Sequence, residues 1–145
     1  MRWSKVRSLV VSRFAPGLKG RLDIHSTAYG NCSCGHAWLT FDGKVIANFC
    51  TRAKSPSPNG IYSDHLTSYG ELSRQDAYEA CWSFLHELSI EEALAEPDPL
   101  IQSLAVADSR LGKRRLLKLD ASSLHPLAQF ILEQRVPKSC GVVTA

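Results

Sequence analysis

Cys32, Cys34 and His36 fall within five positions, and Cys50 is the nearest further thiol along the chain. Four thiolates or imidazoles converging tetrahedrally would make a structural zinc site, but such sites usually draw on C-x₂₋₄-C pairs, and C-x-C is tighter. Tyr29-Gly30-Asn31 and Gly35 supply turn residues on either side. In an unbroken hairpin, Cys34 and His36 would point to one face and Cys50 to the other. The stretch therefore reads as a hairpin tip that holds no metal. A cysteine nucleophile needs a neighbouring base that lowers its pKa, and His25 with Cys50 is the pair to consider. Cysteine more often acts as a small buried hydrophobe, so Cys50 and Cys81 are expected to fill the core, with Cys140 the accessible thiol.

A second constellation is the polar row Asp23, His25, Thr27 and Tyr29, one face of an alternating stretch. A histidine titrating near neutrality could serve as a general base there, yet no second catalytic group can be placed beside it. The third is the basic run Arg110, Lys113, Arg114, Arg115 and Lys118. Such a run can bind phosphates, which reward positive charge without reading sequence. It can equally complement the C-terminal dipole of the preceding helix, or pair with the acids nearby. Trp3 and Trp82 could stack on bases, but both sit at helical spacing among apolar neighbours and are expected in the core.

The elements that must position these groups follow from periodicity. Trp3, Val6, Val10 and Phe14 trace an amphipathic helix ended by Pro16 and Gly17. Leu22, Ile24, Ser26 and Ala28 then alternate with the polar row, as in a half-buried strand. His36 to Phe41 and Lys44 to Thr51 are β-rich runs joined by Asp42-Gly43, a dipeptide suited to a type I′ turn. A two-residue loop pairs Phe41 with Lys44 and Trp38 with Ala47. Both faces of that hairpin are substantially apolar and call for cover from helices.

Residues 52 to 60 form a loop rich in proline and serine, and Ile61 to Gly70 leaves a fourth strand open. Ser73 caps a helix whose apolar stripe runs through Ala77, Ala80, Cys81, Phe84, Leu85 and Leu88. Ser89 with Glu92 matches a capping box, and Asp98-Pro99 reads as the cap and first residue of another helix. That helix buries Leu100, Leu104, Ala107 and Leu111; Leu116, Leu117 and Leu119 resume the apolar pattern after Gly112, and a last helix starts near Pro126.

The fold class is α+β: an N-terminal helix, a small antiparallel meander of three strands with a fourth left open, then three to four C-terminal helices. Residues 1–135 are expected to form one domain, with 136–145 a flexible tail. At 145 residues, 44% apolar and 21% charged, the chain can build a sizeable core without metal or disulfides. It shows neither a signal peptide nor a run of the ~18 apolar residues a membrane span needs, so a cytoplasmic protein with free thiols is expected. The net charge of +3 is small, but residues 1–22 carry six bases and no acid, whereas residues 71–98 carry eight acids and one base. If the basic N-terminus and the 110–118 run fold together, they make one positive face.

M-x-W-S-K at the start, F-A-P-G-L-K-G-R-L-D-I-H-S-T-A-Y, D-G-K-V-I-A-N-F-C and L-G-K-R-R-L span most of the chain. Together they resemble a bacterial family of small proteins catalogued under a Shigella locus tag. The resemblance implies a bacterial cytoplasmic protein and brings no catalytic residue, cofactor or partner with it. In that family the turn before Ala37-Trp38 is variable and often acidic, so Cys32 and Cys34 are a departure that counts against a required metal. The residues favour a non-enzymatic adapter that binds a protein partner through its charged faces, without cofactor, metal or membrane. The alternatives are a nucleic-acid binder using Arg110 to Lys118 with the basic N-terminus, and an enzyme using the His25 face.

Overall fold

The structure, a computed structural model, describes residues 2–27, 36–48 and 74–136. Helix α1 (Trp3–Ser12) leads through a short 3₁₀ turn (Pro16–Leu18) into strand β1 (Leu22–Thr27), then β2 (His36–Phe41) and β3 (Lys44–Asn48). Five α-helices follow: α2 (Arg74–His86), α3 (Ile90–Ala95), α4 (Pro99–Ala107), α5 (Lys113–Leu117) and α6 (Pro126–Arg135), with a 3₁₀ turn (Ala121–Ser123) before the last. This is the α+β arrangement expected. The basic run adds a short helix of its own.

The strands form an antiparallel sheet in the order β1-β2-β3. Asp42 and Gly43 have φ of 52° and 81°, the two positive values a type I′ turn demands. Phe41 faces Lys44 as the two-residue loop requires, but the register then shifts between Leu39 and Thr40. Leu39 faces Ala47 and Trp38 faces Asn48, so the expected Trp38–Ala47 pair does not form. The extra residue lies on β3, which lets the neighbouring Ile46 and Ala47 both be buried. An alternating reading cannot foresee this, because it assigns adjacent residues to opposite faces.

Leu22, Ile24, Ala37, Leu39, Phe41 and Ala47 make the buried side of the sheet, and Phe41 meets Phe130 of α6 edge-on at 5.3 Å. Trp38, Thr40 and Val45 on the opposite side keep partial exposure. Only one face of the described sheet is fully buried. Arg21 reaches from the start of β1 to the hairpin turn, donating to both Asp42 carboxylate oxygens at 2.9 Å while its guanidinium lies 4.6 Å from the Phe41 ring.

The helical half is organised around α4, whose nine residues are all buried. The expected stripe through Leu100, Leu104 and Ala107 is thus a whole cylinder, since α2, α3 and α6 all pack on it. Burial of its two polar side chains is tolerated because each is bonded. Ser103 Oγ donates to Pro99 O at 2.6 Å, and Gln102 donates to Leu94 O at 3.1 Å while accepting from His125 N at 2.8 Å. Gln102 therefore links the end of α3 to the start of α6.

Caps fall where the sequence places them. Ser89 and Glu92 exchange the two bonds of a capping box, and Asp98 Oδ1 accepts from Leu100 N at 2.8 Å. The cap of α6 is a residue the sequence did not mark: His125 Nδ1 accepts from Leu127 N at 3.1 Å. Ser73, the expected cap of α2, and the 52–70 stretch lie outside the described residues, as does the tail from residue 137. Val136 itself donates to Leu132 O and packs partly against the core.

Gln102→Ala leaves the Leu94 carbonyl and the His125 N–H without their shared partner. It is expected to cost about 1–3 kcal/mol in equilibrium urea unfolding. A change under ~0.5 kcal/mol would show that water replaces the side chain at this junction.

Candidate functional site

The polar row of β1 is engaged by its neighbours. His25 Nε2 lies 2.9 Å from Thr40 Oγ1 across the strand, and its ring stacks on Trp38 at 5.2 Å and 17°. The Asp23 carboxylate is gripped by Arg7 of α1, whose Nε is 3.0 Å from Oδ1 and also 3.0 Å from Ile24 O. The helix is thereby pinned to the strand. The Thr27 side chain and Tyr29 lie outside the described residues. An arginine-bound carboxylate beside a histidine stacked and bonded in place makes a firm strand surface.

The basic run divides into two groups. Arg110 is structural: its Nε and Nη2 lie 3.1 Å and 2.8 Å from the Asp108 carboxylate, which also accepts Arg110 N at 2.8 Å. The Asp108 side chain is wholly buried and that of Arg110 half exposed. Those hydrogen bonds push the Arg110 pKa upward. Arg115 donates to Glu91 Oε1 at 2.8 Å. The Glu91 backbone N–H, followed by Arg115, holds that carboxyl below its ordinary range. Both partners are largely in solvent, where such a pair contributes little stability.

Lys113, Arg114 and Lys118 are exposed and make no ion pair among the described residues. Leu117 is 62% exposed, although the apolar pattern of the sequence places it with the core. Leu116 alone turns fully inward, and a helix of five residues has only one buried side to offer. Arg114, Leu117 and Lys118 stand three and four residues apart and so share a face, with Lys113 one turn before Leu117.

These cations do not serve the C-terminus of α4, as the dipole argument suggested. They begin a new helix after Gly112. The α4 carbonyl end is met by Arg135 of α6, whose Nη1 donates to Val106 O at 2.9 Å and Asp108 O at 3.0 Å. Burial lowers the Arg135 pKa, and Asp108 opposes that shift. The two basic segments of the chain enter one junction. Ala15 N donates to Ala107 O at 2.8 Å and Ser109 N to Arg13 O at 2.7 Å, around an antiparallel bridge of Phe14 with Asp108. Within the N-terminal segment Arg7, Arg13 and Arg21 are engaged, with Arg13 donating to Leu85 O at 3.2 Å. Arg2, Lys5 and Lys19 are exposed and make no ion pair among the described residues.

Cys32, Cys34, Cys50 and Cys140 lie outside the described residues. Among the described residues no three of His, Cys, Asp and Glu gather as metal ligands would, and no helix is long and apolar enough to cross a membrane.

The SF0329 protein family model matches residues 2–64 and 53–136, two overlapping pieces that together take in nearly the whole chain. The chain belongs to the SF0329 protein family. No curated protein and no solved structure matches it. In this SF0329 member Cys81 is a core residue, fully buried on α2, as its place in the apolar stripe implies. Burial, with Asp98 adding to it, pushes its thiol up to about 12. A thiolate is therefore withheld from chemistry near neutral pH. Trp3 and Trp82 pack against the core yet remain only partly buried.

Three outcomes are expected. Arg110→Ala strips its guanidinium from a buried carboxylate and should lower stability by about 2 kcal/mol, part of the loss being recovered by water. Arg114→Ala should stay within ~0.5 kcal/mol. Equal effects in urea unfolding would contradict the division drawn between them. Iodoacetamide at neutral pH should leave Cys81 unmodified in the native protein and alkylate it in urea, as mapped by mass spectrometry. Prompt native labelling would show that α2 opens.

Proposed function

We propose that this SF0329 protein is a non-enzymatic binding module of the cytoplasm that engages a protein partner through α5. The observation that carries this reading is Leu117, 62% exposed and flanked by Lys113, Arg114 and Lys118. An apolar side chain ringed by cations suits a partner segment that offers an apolar pocket or side chain surrounded by carboxylates. Burial of Leu117 supplies affinity, and the charges steer the approach. The interaction needs neither a metal nor a cofactor.

A second reading, a phosphate-backbone nucleic-acid binder, is supported by the cations of α5 and by Arg2, Lys5 and Lys19, whose segment meets the α4–α5 connection at the Phe14–Asp108 bridge. Phosphates would leave Leu117 without a role. The two readings part on salt and on Leu117, because phosphate binding weakens steeply with salt and is indifferent to an exposed leucine.

The test is affinity capture from the native host with and without nuclease, comparing wild type with Leu117→Ser and Arg114→Glu. A defined protein should survive nuclease. Its affinity should drop about tenfold or more with Leu117→Ser, the scale of burying one leucine, and should also fall with Arg114→Glu. Retained material that disappears with nuclease, is lost on charge reversal and is unaffected by Leu117→Ser would replace this reading with the nucleic-acid one.

A further inference from the structure

Along α2 and its end, an open groove of about 500 Å³ is lined among the described residues by Tyr78, Glu79, Trp82, Ser83 and Glu87. That volume lies within the range of ligand-holding clefts. Two ridges run along it. Tyr78 and Trp82, four residues apart, form an aromatic ridge that Trp3 continues at 6.4 Å from Tyr78 and His86 at 4.2 Å from Trp82. Glu79, Ser83 and Glu87 form the other at the same spacing. Ser83 Oγ donates to Glu87 Oε1 at 2.7 Å and so orients that carboxylate. Neither glutamate pairs with a cation among the described residues.

Aromatic faces beside carboxylates attract cations, the rings through their quadrupole and the carboxylates through charge. The spacing narrows the class of ligand. Glu79 lies on α2 and Glu87 one residue past its end, where Glu87 N still donates to Ser83 O at 2.9 Å; the eight-residue step is about 12 Å along the helix axis. An extended chain covers that distance in three to four residues at roughly 3.3 Å each. The alkyl stems of lysine or arginine can lie on Tyr78 and Trp82 while their charged ends reach the carboxylates.

We propose that the α2 groove docks a basic, extended segment of a partner protein, with two lysine or arginine side chains three or four residues apart seated between Tyr78–Trp82 and Glu79–Glu87. This site is separate from the α5 surface in place and in sign. The two proposals can therefore fail independently.

The experiment is fluorescence anisotropy of a labelled peptide carrying two lysines at i and i+4 in a neutral, extended frame, titrated with the full chain. Binding should saturate. It should weaken tenfold or more with Glu79→Gln/Glu87→Gln, with Trp82→Leu, or when norleucine replaces the lysines. Leu117→Ser and Glu96→Gln, neither in the groove, should leave it unchanged, and circular dichroism should show every variant folded. Binding that is unaffected by Glu79→Gln/Glu87→Gln, or equally weakened by Glu96→Gln, would overturn the proposal in favour of diffuse acidity. Self-association in sedimentation that both Arg114→Glu and Glu79→Gln/Glu87→Gln abolish would overturn it too, since the basic helix of a second copy would then be the occupant.

Discussion

The Asp108 carboxylate, withdrawn from water at the end of α4, is the constraint around which the rest of the chain is arranged. A carboxylate in that position is costly to leave without partners, and it has several. Arg110 supplies both a guanidinium fork and a backbone N–H. The residue's backbone does as much as its side chain: it bridges to Phe14 and, through its carbonyl, accepts from Arg135 of α6. The exit of α1, the end of α4, the approach to α5 and the end of α6 thus converge on one residue. Val10, Phe14, Leu18, Leu104 and Leu111 are buried in the core these segments enclose.

That junction decides what the charged side chains are available for. Arginines near it hold the fold: Arg13 faces Leu85 and Phe84, Arg110 faces Asp108, and Arg135 meets the α4 carbonyls. Cations beyond it, on α5, stand in solvent. Acidic residues cluster on and beside α2 and α3, where Glu91 meets Arg115 of α5, while Lys113, Arg114 and Lys118 keep the outer side of α5 basic. A small net charge conceals this separation, which underlies both binding surfaces proposed above.

The sheet is arranged by a different balance. Its buried side is filled by alternation, helped by a bulge that brings Ile46 and Ala47 inward together. Its other side keeps His25, Trp38 and Thr40 in contact with one another. Cross-strand stacking and a hydroxyl bond make that side a self-satisfied polar surface, and Arg7 ties it to α1.

What the sequence determined by itself was local. The Asp42-Gly43 turn, the Ser89 capping box, the Asp98-Pro99 start and the stripe that buries Cys81 each depend on groups within a few residues, where spacing alone sets geometry. The family motifs were legible for the same reason, as contiguous runs. Tertiary structure decided which cations are structural, because Asp108 meets Arg135 across the fold, and why Leu117 is left outside while its neighbour Leu116 is buried. It also decided that α4 is buried on every side and that one residue of β3 bulges out of register opposite Leu39 and Thr40. Each of these depends on what packs against the residue from a distant part of the chain, and periodicity carries no record of that neighbour.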